Sequence, residues 1–145
     1  GRAVLIDHDH TEMTYAVALQ MATRFDQITL VTSRERIAND VSLINRQNIL
    51  QRLFDHDIEH ICHAEPDSLD GLEAGRLMIK NVYNDKVSEL SDVVTVVHAS
   101  SRLPNQYLLK PLRANGLEVI PIGDCRAPRS LMAATHEGYH IANTL

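Results

Sequence analysis

The sequence has few cysteines, no excess of basic residues and no long apolar run. Cys62 and Cys125 are its only cysteines, which is too few for a disulfide framework and fits a reducing, cytoplasmic compartment. Lys and Arg number 14 against 19 Asp and Glu, for a net charge of −5, so we expect neither a nucleic-acid partner nor an anionic membrane. The longest apolar run, residues 15–19, is far shorter than the roughly 20 residues that span a bilayer.

The composition is that of an ordinary folded protein. Its 145 residues are 44% hydrophobic and 23% charged, which argues against disorder. This length corresponds to one domain or to one domain with an appendage. The chain begins with Gly rather than Met and enters an apolar run at once, which leads us to expect a fragment of a longer protein.

The first third of the chain has a β-α-β pattern. Residues 3–7 and 28–32 are short apolar runs typical of buried strands. Between them, residues 13–24 are predicted to form a helix that Thr11 caps, and its apolar face would consist of Met13, Ala16, Val17 and Met21. A crossover of helical length makes the two strands parallel and the connection right-handed.

The remaining elements alternate in the same way, apart from an antiparallel insert. We predict a helix from Asp40 or Ser42 to about His56, with an apolar face that includes Leu43, Ile44, Ile49, Leu50, Leu53 and Phe54. A strand at 58–63, a meander at 68–72, 76–82 and 86–90, and a central strand at 92–99 follow. A helix at 105–115 that Gly116 ends, a strand at 119–122 and a helix at 130–145 complete the chain. The order predicts an α/β fold, with a Rossmann-like, mostly parallel sheet flanked by helices and a small antiparallel meander.

The turn after the first strand lacks glycine. In dinucleotide-binding units this turn carries G-x-G-x-x-G, whose glycines let the backbone approach a pyrophosphate. Residues 7–12 contain no glycine but three carboxylates, those of Asp7, Asp9 and Glu12, which would repel a pyrophosphate. The turn is therefore predicted to be a poor dinucleotide site.

This turn has two other interpretations. A phosphoacceptor receiver domain would need a further Asp after the third strand, where Cys62, His63, Ala64 and Glu65 stand. A metal site could use His8 and His10, and two further groups have ligand types: His136 with His140, and Cys62 between His60 and His63. Because eight histidines produce such pairs by chance, surface histidines and a small buried cysteine are the favoured interpretation, and no metal is predicted.

A second candidate site follows the predicted strand at 119–122. Gly123 would let the backbone approach a ligand, and the carboxylate of Asp124 would accept hydrogen bonds from hydroxyls. The N-terminus of the helix that follows Arg129 would face a phosphate. Cys125 at a helix start could have a lowered pKa. No nucleophile stands beside a base, so no catalytic residue is predicted.

The same region carries a resemblance to a known family. The segment Ala99-Ser-Ser-Arg-Leu-Pro-Asn105, the segment Ile122-Gly-Asp-Cys-Arg-Ala-Pro-Arg129 and an A-x-x-E-G motif ending at Gly138 resemble the C-terminal region of the NADH:flavin oxidoreductase family. This family includes trimethylamine dehydrogenase, histamine dehydrogenase and 2,4-dienoyl-CoA reductase. The resemblance extends over essentially the whole chain and is specific from residue 99 to residue 138.

The resemblance implies a domain organisation and cofactors. Members have a barrel that holds FMN and a 4Fe–4S cluster, followed by an FAD- or ADP-binding domain that an NAD(P)H-like domain interrupts. Residues 1–100 match the inserted NAD(P)H-like domain, and residues 101–145 match the end of the FAD/ADP domain. FMN and the cluster would therefore lie only in the parent barrel. The matching positions imply a partial FAD or ADP site, with residues Arg102, Pro104, Asn105, Gly123 and Asp124. The glycine-free turn resembles that of the amine dehydrogenases, which argues against NAD(P)H binding and for a structural module.

Three functions follow as expectations. The first is a fragment of an amine dehydrogenase, demethylase or enoate reductase, whose partner is the remainder of its parent flavoenzyme. The second is a stand-alone, non-enzymatic α/β module that binds a nucleotide or a partner. An apolar surface left uncovered on the fragment could also drive homodimerisation. The third is a metal or phospho-signalling domain, whose affinity for divalent ions would be lost on Asp7→Ala and Asp9→Ala.

Overall fold

The chain divides into two compact units. The computed structural model describes residues 1–144, and the units are Gly1–Ser101 and Arg102–Leu145. No helix in the described part of the chain combines the length and the apolar character needed to cross a membrane. Each unit has its own internal contacts and is described separately.

The first unit contains the strands of the fold. Its elements are β1 (Arg2–Asp7), α1 (Glu12–Met21), β2 (Gln27–Val31), α2 (Leu43–Asp55), β3 (Glu59–Ile61), β4 (Ala64–Ser68), β5 (Leu77–Asn81), β6 (Val87–Leu90) and β7 (Val93–Ala99). Four strands form a sheet in the order β3-β2-β1-β7, and all three of its pairings are parallel. This arrangement confirms the predicted Rossmann-like α/β fold. The prediction that β7 is a central strand is wrong, because within residues 1–144 it is an edge strand whose one partner is β1.

The predicted meander is confirmed as a separate antiparallel sheet. β5 pairs with β4 on one side and with β6 on the other. The first strand begins earlier than the predicted 68–72, because residues 64–68 pair with β5, and residues 72–74 form a 3₁₀ turn instead. Strand pairing, rather than the local sequence, therefore sets the start of this sheet.

β1 is buried on both faces because its side chains alternate. Ala3 and Leu5 pack with the helices, in a cluster that includes Leu30 and Leu53. The intervening residues, Val4 and Ile6, pack on the opposite face against the meander. The meander side of this cluster consists of Ala64, Leu77, Ile79 and Leu90. Full burial of an aliphatic side chain stabilises a protein by about 1.5–3 kcal/mol, so two opposed clusters fix the position of β1 and of the turn that follows it.

The buried face of α1 differs from the prediction. Met13 and Val17, which were predicted to face the core, are 68% and 37% exposed, and Ala16 is exposed as well. Of the predicted face only Met21 is buried, and the other buried residues are Thr14, Tyr15, Ala18 and Leu19. The hydropathy pattern was misleading because the hydroxyls of Thr14 and Tyr15 bind carboxylates, which allows these two polar residues to be buried.

α2 begins where one of the two predicted caps stands. The hydroxyl of Ser42 accepts a hydrogen bond from the backbone N–H of Asn45 at 3.4 Å, so Ser42 rather than Asp40 is the N-cap. Leu53 is buried, and Ile49 and Leu50 pack against the core. The predicted apolar face is too wide, since three of its members are largely exposed: Leu43, Ile44 and Phe54.

The second unit contains two α-helices, α3 (Leu109–Ala114) and α4 (Leu131–Ala142). α3 is shorter than the predicted 105–115, and Pro111 lies in its first turn, where a missing N–H removes no helical hydrogen bond. Gly116 ends α3 as predicted, with a φ of +78°. The N–H groups of Gly116 and Leu117 donate to the carbonyls of Arg113 and Leu112, which is a Schellman motif.

The strand predicted at residues 119–122 does not form. These residues have no strand assignment, because the described part of the second unit offers no other strand for them to pair with. The last helix is confirmed, and its N-cap Ser130 accepts a hydrogen bond from the N–H of Ala133 at 3.2 Å. α4 ends at Ala142 rather than at the predicted Leu145, a residue that lies outside the described part of the chain.

Candidate functional site

The turn after β1 is filled by side chains of its own unit. The carboxylate of Asp7 is fully buried and accepts hydrogen bonds from the N–H of His10 at 2.9 Å and from the hydroxyl of Tyr15 at 2.7 Å. The Tyr15 hydroxyl in turn accepts a hydrogen bond from the N–H of Ala38. Burial and the hydrogen bond to Asp7 both raise the pKa of Tyr15 above its ordinary value. The phenol therefore stays protonated and keeps donating to Asp7.

His10 takes the position that glycine would fill most easily. Its backbone has a φ of +54°, in the left-handed region that glycine adopts at no steric cost. Its imidazole is 2% exposed, and its Nδ1 lies 3.3 Å from Oδ2 of Asp7. The large side chain occupies the turn, which gives a structural reason for the expectation that this turn is a poor dinucleotide site.

Left-handed backbone occurs at several other residues of the first unit. Besides His10, the non-glycine residues with positive φ are Ala38, Asp57, His63, Asp85 and Asp92. Ala38 is fully buried, and its N–H is the group that binds Tyr15. The loop after β2 is therefore tied to the turn after β1 through a strained residue.

The other two carboxylates of the turn are also used inside the unit. Asp9 accepts hydrogen bonds from the N–H of Thr11 at 3.1 Å, from the hydroxyl of Thr11 at 3.0 Å and from the hydroxyl of Thr14. Thr11 is the N-cap residue as predicted, but its hydroxyl donates to Asp9 instead of capping α1. Glu12 accepts a hydrogen bond from the side-chain amide of Asn45 at 2.6 Å. These carboxylates hold the turn and the start of α1 together.

The histidines and Cys62 do not gather into a three-ligand metal site. Among residues 1–144, no group of three or more His, Cys, Asp or Glu side chains could hold a metal ion. His10 is buried while His8 is exposed, so these two side chains do not form an H-x-H chelate. Cys62 lies just after β3 rather than within it, and burial raises the pKa of its thiol.

The Gly123–Cys125 segment of the second unit forms a 3₁₀ turn packed against α4. Gly123 is buried with a φ of +58°, and a Cβ added there would lie 3.1 Å from the Cβ of Ala134. Glycine is thus required by its backbone angle and by the close approach of the helix. Cys125 lies in this turn and not at the start of α4, which corrects its predicted position.

Glu137 is the residue of this site that the sequence analysis did not select. Its carboxylate accepts a hydrogen bond from the N–H of Gly123 at 2.8 Å and forms ion pairs with Arg126 and Arg129. The hydrogen bond from Gly123, together with the two guanidinium groups, lowers the pKa of Glu137. The contact spans 14 residues, so only the glutamate of the A-x-x-E-G motif could have indicated it.

The remaining predicted site residues are exposed around this turn. The side-chain amide of Gln106 donates to the carbonyl of Cys125 at 2.8 Å, which brings the segment containing Asn105 beside the turn. Arg102 and Pro104 lie exposed in the same segment, and Asp124 is exposed on the turn itself. The bond from Gln106 therefore joins the segment that contains Arg102, Pro104 and Asn105 to the Gly123–Cys125 turn.

Three solved structures share this architecture over nearly the whole chain. Histamine dehydrogenase from Rhizobium sp. 4-9 superposes on 99% of this chain and 23% of its own length, with a TM-score of 0.84 and 24% identity. 6-Hydroxypseudooxynicotine amine oxidase from Pseudomonas geniculata N1 covers 97% of this chain and 21% of its own length, with a TM-score of 0.83 and 20% identity. The chain has the fold of a region of these enzymes. The family resemblance indicated by the motifs is thereby confirmed as a likeness of fold.

A third structure, a complex of 2-naphthoyl-CoA reductase with 2-naphthoyl-CoA, covers 99% of this chain and 21% of its own length, with a TM-score of 0.75 and 20% identity. No protein-family model and no curated protein sequence matches the chain. The chain spans between 21% and 23% of the length of the three solved structures. The fold is thus one that a dehydrogenase, an oxidase and a reductase all contain.

Proposed function

We propose that this chain is the C-terminal region of an NADH:flavin oxidoreductase-like enzyme that depends on FMN and an iron–sulfur cluster. Its parent would dehydrogenate or demethylate an amine, or reduce an enoate. The observation that carries this proposal is the superposition on histamine dehydrogenase over 99% of the chain at a TM-score of 0.84. FMN, the cluster and the reaction belong to the parent, and this chain supplies binding and packing.

The two units have different parts in this proposal. Residues 1–100 are a structural, NAD(P)H-like module, because the buried network of Asp7, His10 and Tyr15 fills the turn that a pyrophosphate would need. Residues 101–145 form the end of an FAD- or ADP-binding domain. The exposed carboxylate of Asp124 fits the hydroxyl groups of a ribose or ribityl chain.

Gly123 would contribute to ligand binding through its small size rather than through its N–H. That N–H already donates to Glu137, so it does not provide a phosphate contact. The absence of a side chain lets α4 and the turn approach each other, while Asp124 remains exposed on the turn. When bound, a flavin would supply the redox chemistry, and the residues of this chain would bind and orient it.

A thermal-shift titration of the full chain with ADP, FAD, NADH and NADPH tests the proposal. A ligand at 100 times its dissociation constant stabilises the folded state by about 2.7 kcal/mol, or several degrees for a protein of this size. We expect a shift with ADP or FAD that Asp124→Asn abolishes. The matched control is Glu118→Gln, another exposed carboxylate of the second unit, which should leave the shift unchanged.

Two results would contradict this assignment. A shift with NADH or NADPH that Tyr15→Phe alters would place a working nucleotide site in the first unit. No shift with any of the four ligands would leave the second unit without a cofactor role. In that case the chain would be a packing region only.

The remainder of the parent enzyme is the proposed partner. In the described part of the second unit, five side chains are more than 70% exposed although apolar or aromatic: Leu103, Tyr107, Leu131, Met132 and Tyr139. Exposed apolar groups in this number indicate a surface that another protein surface covers. A second copy of the chain is the alternative to the remainder of the parent enzyme. When the chain is co-expressed with the preceding part of the parent, its sedimentation coefficient should rise from that of the isolated chain to that of a complex.

A cytoplasmic location is proposed from the two free cysteines.

A further inference from the structure

The first unit brings two exposed histidines together at the edge of its parallel sheet. His8 follows β1 directly, and His98 lies near the end of β7, paired in register with Ile6. Nε2 of His98 is 3.4 Å from Nδ1 of His8, and the two rings meet edge to face with centroids 4.7 Å apart. Ninety positions separate the two residues, so neither the H-x-H motif nor any local pattern indicates this pair.

The pair occupies the position in the sheet where ligands bind in open α/β folds. The order β3-β2-β1-β7 means that the chain leaves β1 toward β2 on one side and returns as β7 on the other. The carboxyl ends of two such strands frame a crevice, which is the usual ligand site of these folds. His8 and His98 stand at this end, beside the turn that Asp7 and His10 close to a pyrophosphate.

The separation of the two nitrogens fits a shared metal ion as well as a long hydrogen bond. At 3.4 Å the contact is a long hydrogen bond, which needs a proton on one of the two facing nitrogens. Two histidine nitrogens on a tetrahedral Zn²⁺, each about 2.0–2.1 Å from the ion, lie roughly 3.3–3.4 Å apart. The imidazoles therefore already have the spacing of two ligands.

The backbone and the local charge both favour a cation at this point. The N–H of His8 donates to the carbonyl of Ala99 at 3.0 Å, so the sheet fixes the distance between the two histidines. Asp7 and Glu65 lie near enough to His8 to interact with it electrostatically, and their negative charge attracts a cation to this end of the sheet.

We propose that His8 and His98 form a two-imidazole site for a divalent transition-metal ion of the zinc class. The remaining coordination positions are open to water or to a donor atom of a ligand, since the described residues provide no group of three protein ligands. The site is independent of the cofactor assigned to the second unit. Imidazole ligands select Zn²⁺, Ni²⁺ and Cu²⁺ over Mg²⁺, and Cu²⁺ should bind most tightly.

Isothermal titration of the full chain with Zn²⁺ tests the site. All proteins carry His140→Gln, because His136 and His140 lie one turn apart on α4 and offer a competing pair. We expect His8→Gln and His98→Gln each to weaken Zn²⁺ binding more than tenfold, and the double variant to be no weaker than either single one. His56→Gln, another exposed histidine of the first unit, is the matched control and should bind as before.

A second measurement locates the ion. Substoichiometric Cu²⁺ should broaden the imidazole ring signals of both His8 and His98 in the NMR spectrum before those of any other histidine, while Mg²⁺ should leave them unchanged. The inference is overturned if either single variant binds Zn²⁺ like the control, or if the effects of the two variants add independently. Because both side chains are exposed, unchanged amide spectra will show that the variants keep the fold.

Discussion

Tyr15→Phe is the sharpest test of how the turn after β1 is held. The variant removes a hydroxyl that donates to buried Asp7 at 2.7 Å and accepts from the N–H of Ala38. A hydrogen bond to a charged group contributes about 1.5–3 kcal/mol, and an orphaned buried N–H costs about 1–3 kcal/mol. Since Asp7 keeps its bond from His10, we expect a total loss of about 3 kcal/mol. For a unit of this size that is roughly 10–15 °C in Tm.

The free energy of unfolding of the full chain is measured by urea denaturation monitored by circular dichroism. The Tm is measured separately by differential scanning calorimetry. Tyr83→Phe is the matched control, because Tyr83 is 78% exposed and its hydroxyl should matter by less than about 0.5 kcal/mol. If Tyr15→Phe unfolds at the same urea concentration as Tyr83→Phe, the buried network does not hold the turn. The structural argument against a pyrophosphate in the first unit would then fail with it.

Three further predictions concern Gly123, Glu137 and His8. Gly123→Ala should destabilise the second unit more than Gly116→Ala in thermal unfolding, because both have positive φ but only the former meets Ala134 at 3.1 Å; equal losses would show that backbone angle alone matters. The pKa of Glu137 is lowered from 4.5, so its contribution to stability is present above that pH and is lost as the pH falls through the folded-state pKa. Glu137→Gln should therefore flatten the stability profile below pH 4.5, and an unchanged profile would contradict the ion-pair assignment. The pKa of His8 is lowered from 6.5, so acidification below that pH should also destabilise the protein, and His8→Gln should remove this loss in chemical unfolding at pH 7 and pH 5.

The fold could be predicted where local pattern and tertiary packing agree. β1 and β2 are short apolar runs whose partners lie on both sides, and both form at nearly the predicted residues. The strand predicted at 119–122 is equally apolar but finds no partner in its unit. A strand is stabilised by its neighbours, and the sequence of one segment does not show whether a neighbour is present.

The candidate site could be predicted only in part for a similar reason. The missing glycines of the turn are visible in the sequence, and so are Gly123 and Asp124. The contacts that give these positions their properties are long-range: Tyr15 meets Ala38 across 23 residues, and Gly123 meets Glu137 across 14. Hydropathy also placed Tyr15 outside the predicted buried face of α1, because the pattern does not register a polar group that is buried with a partner.

The left-handed residues of the first unit also affect the chain before it folds. The sequence contains only 6 glycines, and positions such as His10 and Ala38 reach positive φ with a side chain present. A side chain there costs about 1–2 kcal/mol of local strain. It also restricts the denatured chain, which lowers the conformational entropy lost on folding by about 0.4–1 kcal/mol per position relative to glycine. These residues therefore stabilise the turns partly by restricting the conformations of the unfolded chain. The contacts of the folded protein do not show this effect.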